Sequence, residues 1–176
     1  MKQYSKAKQA LQRAVTEAPS NANALHQLGV VHFETGQDAD AIKNFVVSLR
    51  LVPNDVHANY NLGRAYIRTK KYREAILSLE KAREMDPDNA EIHLNLGYAY
   101  YLQKRYRDAT GETQIAVRLA PADDQGQLLL ATLYRQTYEK SLALLQYEAV
   151  KGSNSKLAAK IYQIMYGDKV FVIGDK

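Results

Sequence analysis

The chain has 176 residues, enough for one domain or one short repeat array. Its 46% apolar and 24% charged residues are typical of a globular fold, and the sequence lacks the long apolar run that a membrane span requires. Because there is no cysteine, disulfides, thiolate metal sites and cysteine nucleophiles are excluded. The net charge of +5 favours acidic partners in general, without indicating nucleic acid.

The first predicted element is a single amphipathic helix within residues 4–19. Tyr4, Ala7, Leu11 and Ala14 recur at helical spacing. Pro19 ends the run, since proline lacks a backbone donor and clashes with the preceding turn. We interpret this helix either as a natural cap or as half of a repeat whose other helix is missing. Its outer apolar face would then be available for self-association.

Residues 22–55 predict a pair of helices joined by a turn near Gly36. Gly29 is expected where the two helices cross closely, because a larger side chain would push them apart. Pro53 ends the pair, and the Asn or Asp after it can cap the next helix. Apolar residues recur at helical spacing in both helices: Leu25, Leu28 and Val31, then Ala41, Ile42, Phe45, Val46 and Leu49.

The same pattern recurs over residues 56–89 and 90–123, at a period of 34 residues. Chance does not produce five columns that agree at one period, so we expect stacked copies of one helix pair. The columns are Pro19, Pro53, Pro87 and Pro121; Ala7, Ala41, Ala75, Ala109 and Ala143; Leu28, Leu62, Leu96 and Leu130; Gly29, Gly63, Gly97 and Ala131; and His32, Tyr66, Tyr100 and Tyr134.

The C-terminal part departs from the pattern. Residues 124–150 predict a degenerate fourth repeat, because Ser155 stands in the proline column. Residues 154–166 carry one apolar stripe and predict a helix that caps the last hydrophobic face. The tail, residues 167–176, contains Val170-Phe171-Val172-Ile173. We expect this tail either to pack back on the cap helix or to form a strand or anchor for a neighbouring domain.

These columns resemble the tetratricopeptide repeat family, whose 34-residue helix-turn-helix unit has a Leu-Gly pair, a following Tyr, a small Ala and a closing Pro. The resemblance covers residues 4–150, although Leu25, Asn59 and His93 replace the usual early Trp. It implies an all-α fold, a right-handed superhelical solenoid of antiparallel helix pairs with a C-terminal capping helix. Residues 1–166 would form a single solenoid.

The resemblance also implies a concave groove lined by the first helix of each pair. In some peptide-binding relatives one column of this groove is an asparagine ladder that bonds to a peptide backbone. The same column here holds Gln27, Asn61 and Asn95, and then Leu129. An amide has both a donor and an acceptor, so it suits a backbone of any sequence; the alternative is that each amide bonds to the neighbouring helix. By the same register the groove should include His26, Val30, Tyr60, Arg64, Arg68, Leu94, Tyr98 and Leu128.

Two arginines in this groove lie four residues apart, so both should project to the same side of their helix. Arg64 and Arg68 could hold a ligand carboxylate, or they could pair with Glu34 or Glu91 on adjacent units. Tyrosine and arginine are also the residue types that typically dominate interface energies.

Some relatives clamp the C-terminal carboxylates of chaperones with a constellation of Lys, Asn, Asn, Lys and Arg. Only Asn61 matches that constellation. Val30 stands where an Asn is expected, and Glu91 and Asn95 stand where cations are expected. The sequence therefore argues against a chaperone carboxylate clamp.

Basic residues recur at the turn between the two helices of successive units. They should form a positive ridge along one edge of the solenoid, which is either a solvated surface or a contact for an acidic protein, an anionic membrane surface or nucleic acid. No aromatic-basic motif of a nucleic-acid reader supports the last of these. The residues of this basic edge are Lys70, Lys71, Arg73, Lys104, Arg105 and Arg107.

The sequence predicts no enzyme. It contains no HExxH, no GxSxG and no phosphate-binding glycine loop, and the Leu-Gly glycines are helix-contact residues. His32 stands in a core column, while His57 and His93 fall at different places in their units. No catalytic residue, metal site or cofactor is therefore expected.

We predict a protein-protein interaction module, a scaffold or adaptor that binds a peptide or helix segment of another protein in the concave groove. The alternatives are a self-associating assembly protein, which would pair through its N-terminal helix or its C-terminal tail, and a regulatory segment of a larger protein. No secretory signal is evident at the first residues, which favours the cytoplasm and leaves the periplasm open if a signal has been removed.

Overall fold

The computed structural model describes residues 2–167, with side chains from residue 4, and this part of the chain is built from α-helices without strands. Helices alternate with short turns from one end to the other. The bounds are α1 Lys2–Glu17, α2 Ala22–Glu34, α3 Asp38–Leu51, α4 Val56–Arg68, α5 Tyr72–Met85, α6 Ala90–Leu102, α7 Tyr106–Leu119, α8 Asp124–Gln136, α9 Lys140–Lys151 and α10 Ser155–Tyr166.

The residue two positions after each proline begins the next helix pair, as the sequence suggested. Its side-chain oxygen accepts a hydrogen bond from a backbone N–H in the first turn, which satisfies a group that the helix leaves unpaired. The four capping residues are Asn21, Asp55, Asn89 and Asp123.

The turn between the two helices of a pair needs one residue in the left-handed region. Gly36 has φ of 78° there, and the equivalent positions one, two and three periods later are Lys70 at 60°, Lys104 at 62° and Tyr138 at 61°. Only the first copy uses the residue type that adopts this conformation without steric cost. Two of the lysines in the basic edge are therefore held in a mildly strained backbone.

The glycine column marks the closest approach of the two helices within a pair. A Cβ atom built on Gly29 would lie 2.7 Å from Phe45 Cδ1, and one on Gly63 would lie 2.5 Å from Leu79 Cγ. On Gly97 it would lie 2.5 Å from Thr113 Oγ1. Phe45, Leu79 and Thr113 are themselves completely buried, so they have little room to move aside.

The column that usually holds Trp has a different role in this chain. Asn59 Nδ2 donates to the carbonyl of Pro53 (3.1 Å), and Gln127 Nε2 donates to that of Pro121 (2.8 Å). At the same position His93 Nε2 lies 2.8 Å from the Pro87 oxygen. These polar side chains therefore join each helix pair to the proline turn before it.

The two ends are packed less completely than the centre. α1 contacts α2 alone among the described helices, and Tyr4 on it is 45% exposed. α10 packs against both α8 and α9 through Leu157, Ala158 and Ile161, as expected of a capping helix. Nevertheless α9 leaves Leu142, Leu144 and Leu145 exposed.

The architecture is the all-α, right-handed solenoid of antiparallel helix pairs that the repeat predicted, with a capping helix after the last pair. In the part of the chain from Lys2 to Gly167, no helix combines the length and the hydropathy needed to cross a membrane. The predicted alternatives for Val170–Ile173 concern residues outside the described range.

We expect Gly63→Ala to destabilise the fold by about 1–3 kcal/mol, because the new methyl group would overlap Leu79 at the helix crossing. Gly111→Ala is the matched control: its Cβ would meet nothing within 4 Å, on an exposed face of α7. This control should stabilise by about 0.5–1 kcal/mol, since glycine weakens a helix interior. Urea unfolding followed by circular dichroism measures both; equal effects would contradict the close crossing.

Candidate functional site

The first helix of each pair lines the inner surface of the solenoid. α2, α4, α6 and α8 contact one another in sequence, whereas the second helices α3, α5 and α7 share no contacts among the described elements. The array curves because its first helices approach one another while its second helices stay apart. The first helices therefore lie on the concave side.

Two adjoining depressions occupy this concave side. The larger has a volume of about 610 Å³ and the smaller about 230 Å³, and both include Leu94, Asn95 and Gln125 in their walls. Because the walls are shared, they form one continuous groove across α4, α6 and α8, which we call the concave groove. The larger depression also has Tyr60, Arg64, Ala90, Glu91, Ala120 and Asp123 in its walls, and the smaller has Tyr98 and Leu129.

Of the amide column, Asn95 lines the groove, whereas Gln27 and Asn61 line neither depression. Both asparagines are bonded to neighbouring repeats. A hydrogen bond of 3.1 Å joins Asn61 Nδ2 to His26 Nε2 on the preceding first helix. Asn95 Nδ2 donates to the Tyr60 hydroxyl (3.2 Å) and to the carbonyl of Glu91 (2.8 Å). Both amide nitrogens are thus engaged, while among the described residues both Oδ1 atoms remain without a donor. Gln27, at the start of the column, is exposed.

His26 is buried beneath the groove and does not line it. Its ring packs against Phe45, with centroids 5.7 Å apart. Burial lowers the pKa of His26 below its ordinary value, an effect that Asp55 opposes and His57 reinforces. The neutral imidazole can therefore accept the Asn61 N–H at Nε2.

Tyr60, Glu91 and Arg64 form a polar cluster in the larger depression. The Tyr60 hydroxyl donates to Glu91 Oε2 at 3.0 Å, and burial together with this carboxylate raises the pKa of Tyr60 to about 12. The Arg64 guanidinium lies 4.8 Å from the Phe33 ring centroid and 5.5 Å from that of Tyr60. No ion pair within the described residues engages it, so its N–H groups stay available to a ligand.

Arg68 has its partners within the fold. It pairs with Asp38 at 2.7 Å, donates to the Phe33 carbonyl at 2.9 Å and stacks on the Phe33 ring. The partner is neither Glu34 nor Glu91, because the turn after α2 brings Asp38 closer. The two arginines therefore differ: Arg68 secures the junction of α2, α3 and α4, and Arg64 faces the groove.

The other end of the groove is apolar. Tyr98 is 42% exposed, stacks on Tyr101, and shares the smaller depression with Leu94 and Leu129. Leu128, which the register also placed here, packs instead against the core cluster that α10 completes. Val30 is half-buried and packs on the core around Phe45.

The period placed Leu129 at the end of the amide column, and it lines the smaller depression. Sequence reasoning missed two polar groove residues. Asp123 and Gln125 lie at the start of α8, where the turn folds over the groove, and the helical register of a first helix does not reveal that position. The Asp123 carboxylate accepts from the Gln125 and Gly126 N–H groups as the helix cap.

The six residues of the basic edge are exposed. Four lie in the turns that precede α5 and α7, and Arg73 and Arg107 lie in the first turn of these helices. Arg105 pairs with Asp108 at 2.7 Å and lies over the Tyr100 ring. The ridge is distinct from the concave groove, because none of its six residues lines either depression. Between residues 4 and 167 no cluster of three or more His, Asp or Glu side chains could hold a metal ion.

Comparison with known families agrees with the repeat pattern. A family model described as "TPR repeat" matches residues 63–104, and one described as "Anaphase-promoting complex, cyclosome, subunit 3" matches residues 1–82. No curated protein matches the chain.

Several solved structures share the fold. The crystal structure of MamA is 21% identical, with a TM-score of 0.76 over 92% of this chain and 88% of that one. MamA residues 41 to the end, from Desulfovibrio magneticus RS-1, give 23% identity and a TM-score of 0.80 over 85% and 84% of the two chains. YrrB gives 20% identity and a TM-score of 0.79 over 89% and 80%. At these identities the likeness concerns the fold.

Because burial keeps His26 neutral, we expect the protein to lose stability as the pH falls below the ordinary histidine pKa of 6.5. The unfolded chain takes up a proton there that the folded state resists, so protonation favours unfolding. Urea midpoints at neutral and mildly acidic pH measure the loss. This loss of stability should be smaller in His26→Leu. Leucine is a suitable replacement because it occupies the equivalent position in later repeats, at Leu94 and Leu128.

His57→Gln is the control, because His57 is exposed on α4 and should leave most of the acid-dependent loss in place. A loss of the same size in His26→Leu and in the wild type would show that the His26 environment does not resist protonation.

Proposed function

Since the chain belongs to the tetratricopeptide repeat family, we propose that it is a scaffold that binds an extended segment of a partner protein in the concave groove. Tetratricopeptide repeats are generally interaction modules without catalytic activity, and we propose the same for this chain. The fold supports a protein-interaction role in general. The groove and its residues are our more specific proposal.

One observation carries this proposal: the groove is continuous across three helix pairs and has unengaged polar groups in its walls. The Asn95 Oδ1 atom can accept a backbone N–H from a ligand, and the Asn61 Oδ1 atom on the preceding first helix is also without a donor among the described residues. Their amide nitrogens are fixed by His26 and Tyr60, so the acceptors are oriented before a ligand arrives. Preorganisation of this kind lowers the cost of binding.

The apolar end would supply most of the affinity. Tyr98, Leu94 and Leu129 offer partly exposed carbon surface that a ligand side chain could cover. Tyrosine in such a position commonly dominates an interface. The similar structure of YrrB is described as a TPR protein with an unusual peptide-binding site, which supports a peptide as the ligand class.

To test the proposal, peptides selected from a random dodecapeptide library on the wild-type protein would be titrated against Tyr98→Ala. We expect this substitution to weaken binding by about tenfold or more, because it removes an exposed aromatic contact in the groove. Calorimetry gives the affinity, and thermal melting should stay near the wild-type value because Tyr98 is not in the core.

The matched control is Leu77→Ala, which removes an exposed apolar side chain from the outer helix α5. Affinity should be unchanged in this variant. If the selected peptides bind Tyr98→Ala as well as wild type, or lose affinity equally with Leu77→Ala, the concave groove is not the site.

Self-association is a second candidate function, favoured by the incompletely packed ends. Tyr4 on α1 and Leu145 on α9 are 45% and 65% exposed, and apolar exposure of this kind often marks an interface. Under this proposal the mass measured by sedimentation rises with protein concentration. Tyr4→Glu lowers that mass if the N-terminal helix forms the interface, and Leu145→Glu lowers it if the C-terminal end does. A monomer at all concentrations would exclude this function and leave the groove proposal unaffected.

A further inference from the structure

Successive repeats present different side chains at one equivalent groove position. Val30, Arg64, Tyr98 and Thr132 stand 34 residues apart, so each lies at the same height on its own first helix. Val30 packs on the core and the Thr132 hydroxyl bonds to the Leu128 carbonyl, so a ligand in the groove would meet the cationic and the aromatic member of this series. The central pair, Arg64 and Tyr98, lines the two depressions of the groove.

The charge on Arg64 has no ion-pair partner among the described residues. Phe33 and Tyr60 hold its guanidinium by stacking on it, which leaves the N–H groups of the fork unpaired. The nearby carboxylates have other partners: Glu91 accepts the Tyr60 hydroxyl, and Asp123 accepts two backbone N–H groups. A planar guanidinium in this state matches a carboxylate in geometry and in charge.

The spacing of the two positions limits the conformation of the ligand. Neighbouring packed helices lie about 8–10 Å apart, so Arg64 and Tyr98 are separated by about that distance along the groove. A polyproline II helix rises about 3.1 Å per residue with three residues per turn, so every third side chain returns to the same side after about 9 Å. The distance between successive first helices therefore matches the rise of one polyproline II turn of the ligand.

An amide acceptor lies in the same groove. Asn95 lines both depressions and keeps its Oδ1 without a donor among the described residues, so it can accept a backbone N–H of the ligand. A polyproline II backbone makes no hydrogen bonds of its own, so its N–H groups are free to donate. A helical ligand would have engaged them internally.

From these observations we infer that the groove selects an extended, polyproline II-like segment that carries a carboxylate and, three residues away, an aromatic or large aliphatic side chain. The carboxylate pairs with Arg64, and the apolar side chain lies against Tyr98, Leu94 and Leu129. This inference rests on the proposed function and adds to it the chemistry and spacing of the ligand.

The test uses three labelled peptides of identical composition in a proline- and alanine-rich host, with Asp and Phe separated by two, three or four positions. We expect the spacing of three to bind about fivefold more tightly than the others, because only it brings both side chains to the groove at once. Replacement of Asp by Asn in that peptide should weaken its affinity by a similar factor at low salt and by a smaller factor at high salt.

Arg64→Met retains the apolar stem and removes the charge. In this variant the preference for Asp over Asn should disappear, while the Asn peptide binds as it does to wild type. The control is Arg107→Met, which removes a cation from the basic edge and should leave the Asp preference intact. Arg64→Glu should reverse it, so that a peptide with Lys in place of Asp binds best.

The outcomes separate this inference from the proposed function. Peptides that bind with sensitivity to Tyr98→Ala but without a preference for spacing or for Asp would overturn the inference and leave groove binding standing. An Asp preference lost equally in Arg107→Met would place the anion on the basic edge and overturn it too. If neither these peptides nor any from the random library bind the groove, both proposals fail.

Discussion

The close crossing of the two helices in each pair is the constraint on which the rest of this solenoid depends. At Gly63 no side chain separates α4 from Leu79 of α5, and the same contact recurs at Gly29 and Gly97. The short distance within each pair brings the next first helix into line, so that α2, α4, α6 and α8 form one continuous inner layer. The concave groove exists because this layer curves, and its chemistry depends on which side chains each repeat places there.

Polar side chains on the inner layer have two roles that reinforce one another. Asn61 and Asn95 each use the amide nitrogen to join adjacent repeats, and Asn95 also lines the groove. Tyr60 likewise joins α4 to Glu91 of α6 while stacking on Arg64. The contacts that join the repeats therefore also orient groups in the groove wall, and under the proposed function repeat geometry and ligand recognition would be coupled.

The fold was predictable from the sequence because a period of 34 residues repeats the crossing glycine, the proline and the cap through three successive helix pairs. The left-handed turn recurs in the structure although only its first copy is a glycine. The site was predictable only in part. Tyr60, Arg64, Leu94, Asn95 and Tyr98 follow from helical register, but the partners of the amides lie on another helix and depend on the rotation between repeats. The burial of His26 against Phe45, the pairing of Arg68 with Asp38 and the packing of Leu128 near α10 depend on tertiary contacts that no local pattern encodes.

The polar column at the proline turns has a consequence for how the array opens. Here a joint means the contact between a helix pair and the proline turn before it. The joint at His93 has the most hydrogen bonds, since its ring nitrogens bond to the Pro87 carbonyl and to Glu112, and Arg83 forms an ion pair with the same Glu112 carboxylate. At the next joint Gln127 leaves its Oε1 buried without a partner among the described residues. In a quasi-linear array each joint contributes its own increment of cooperativity. Unfolding should therefore begin as fraying of the last helices and stop at the His93 joint, leaving a partly folded, N-terminal remnant as a distinct intermediate.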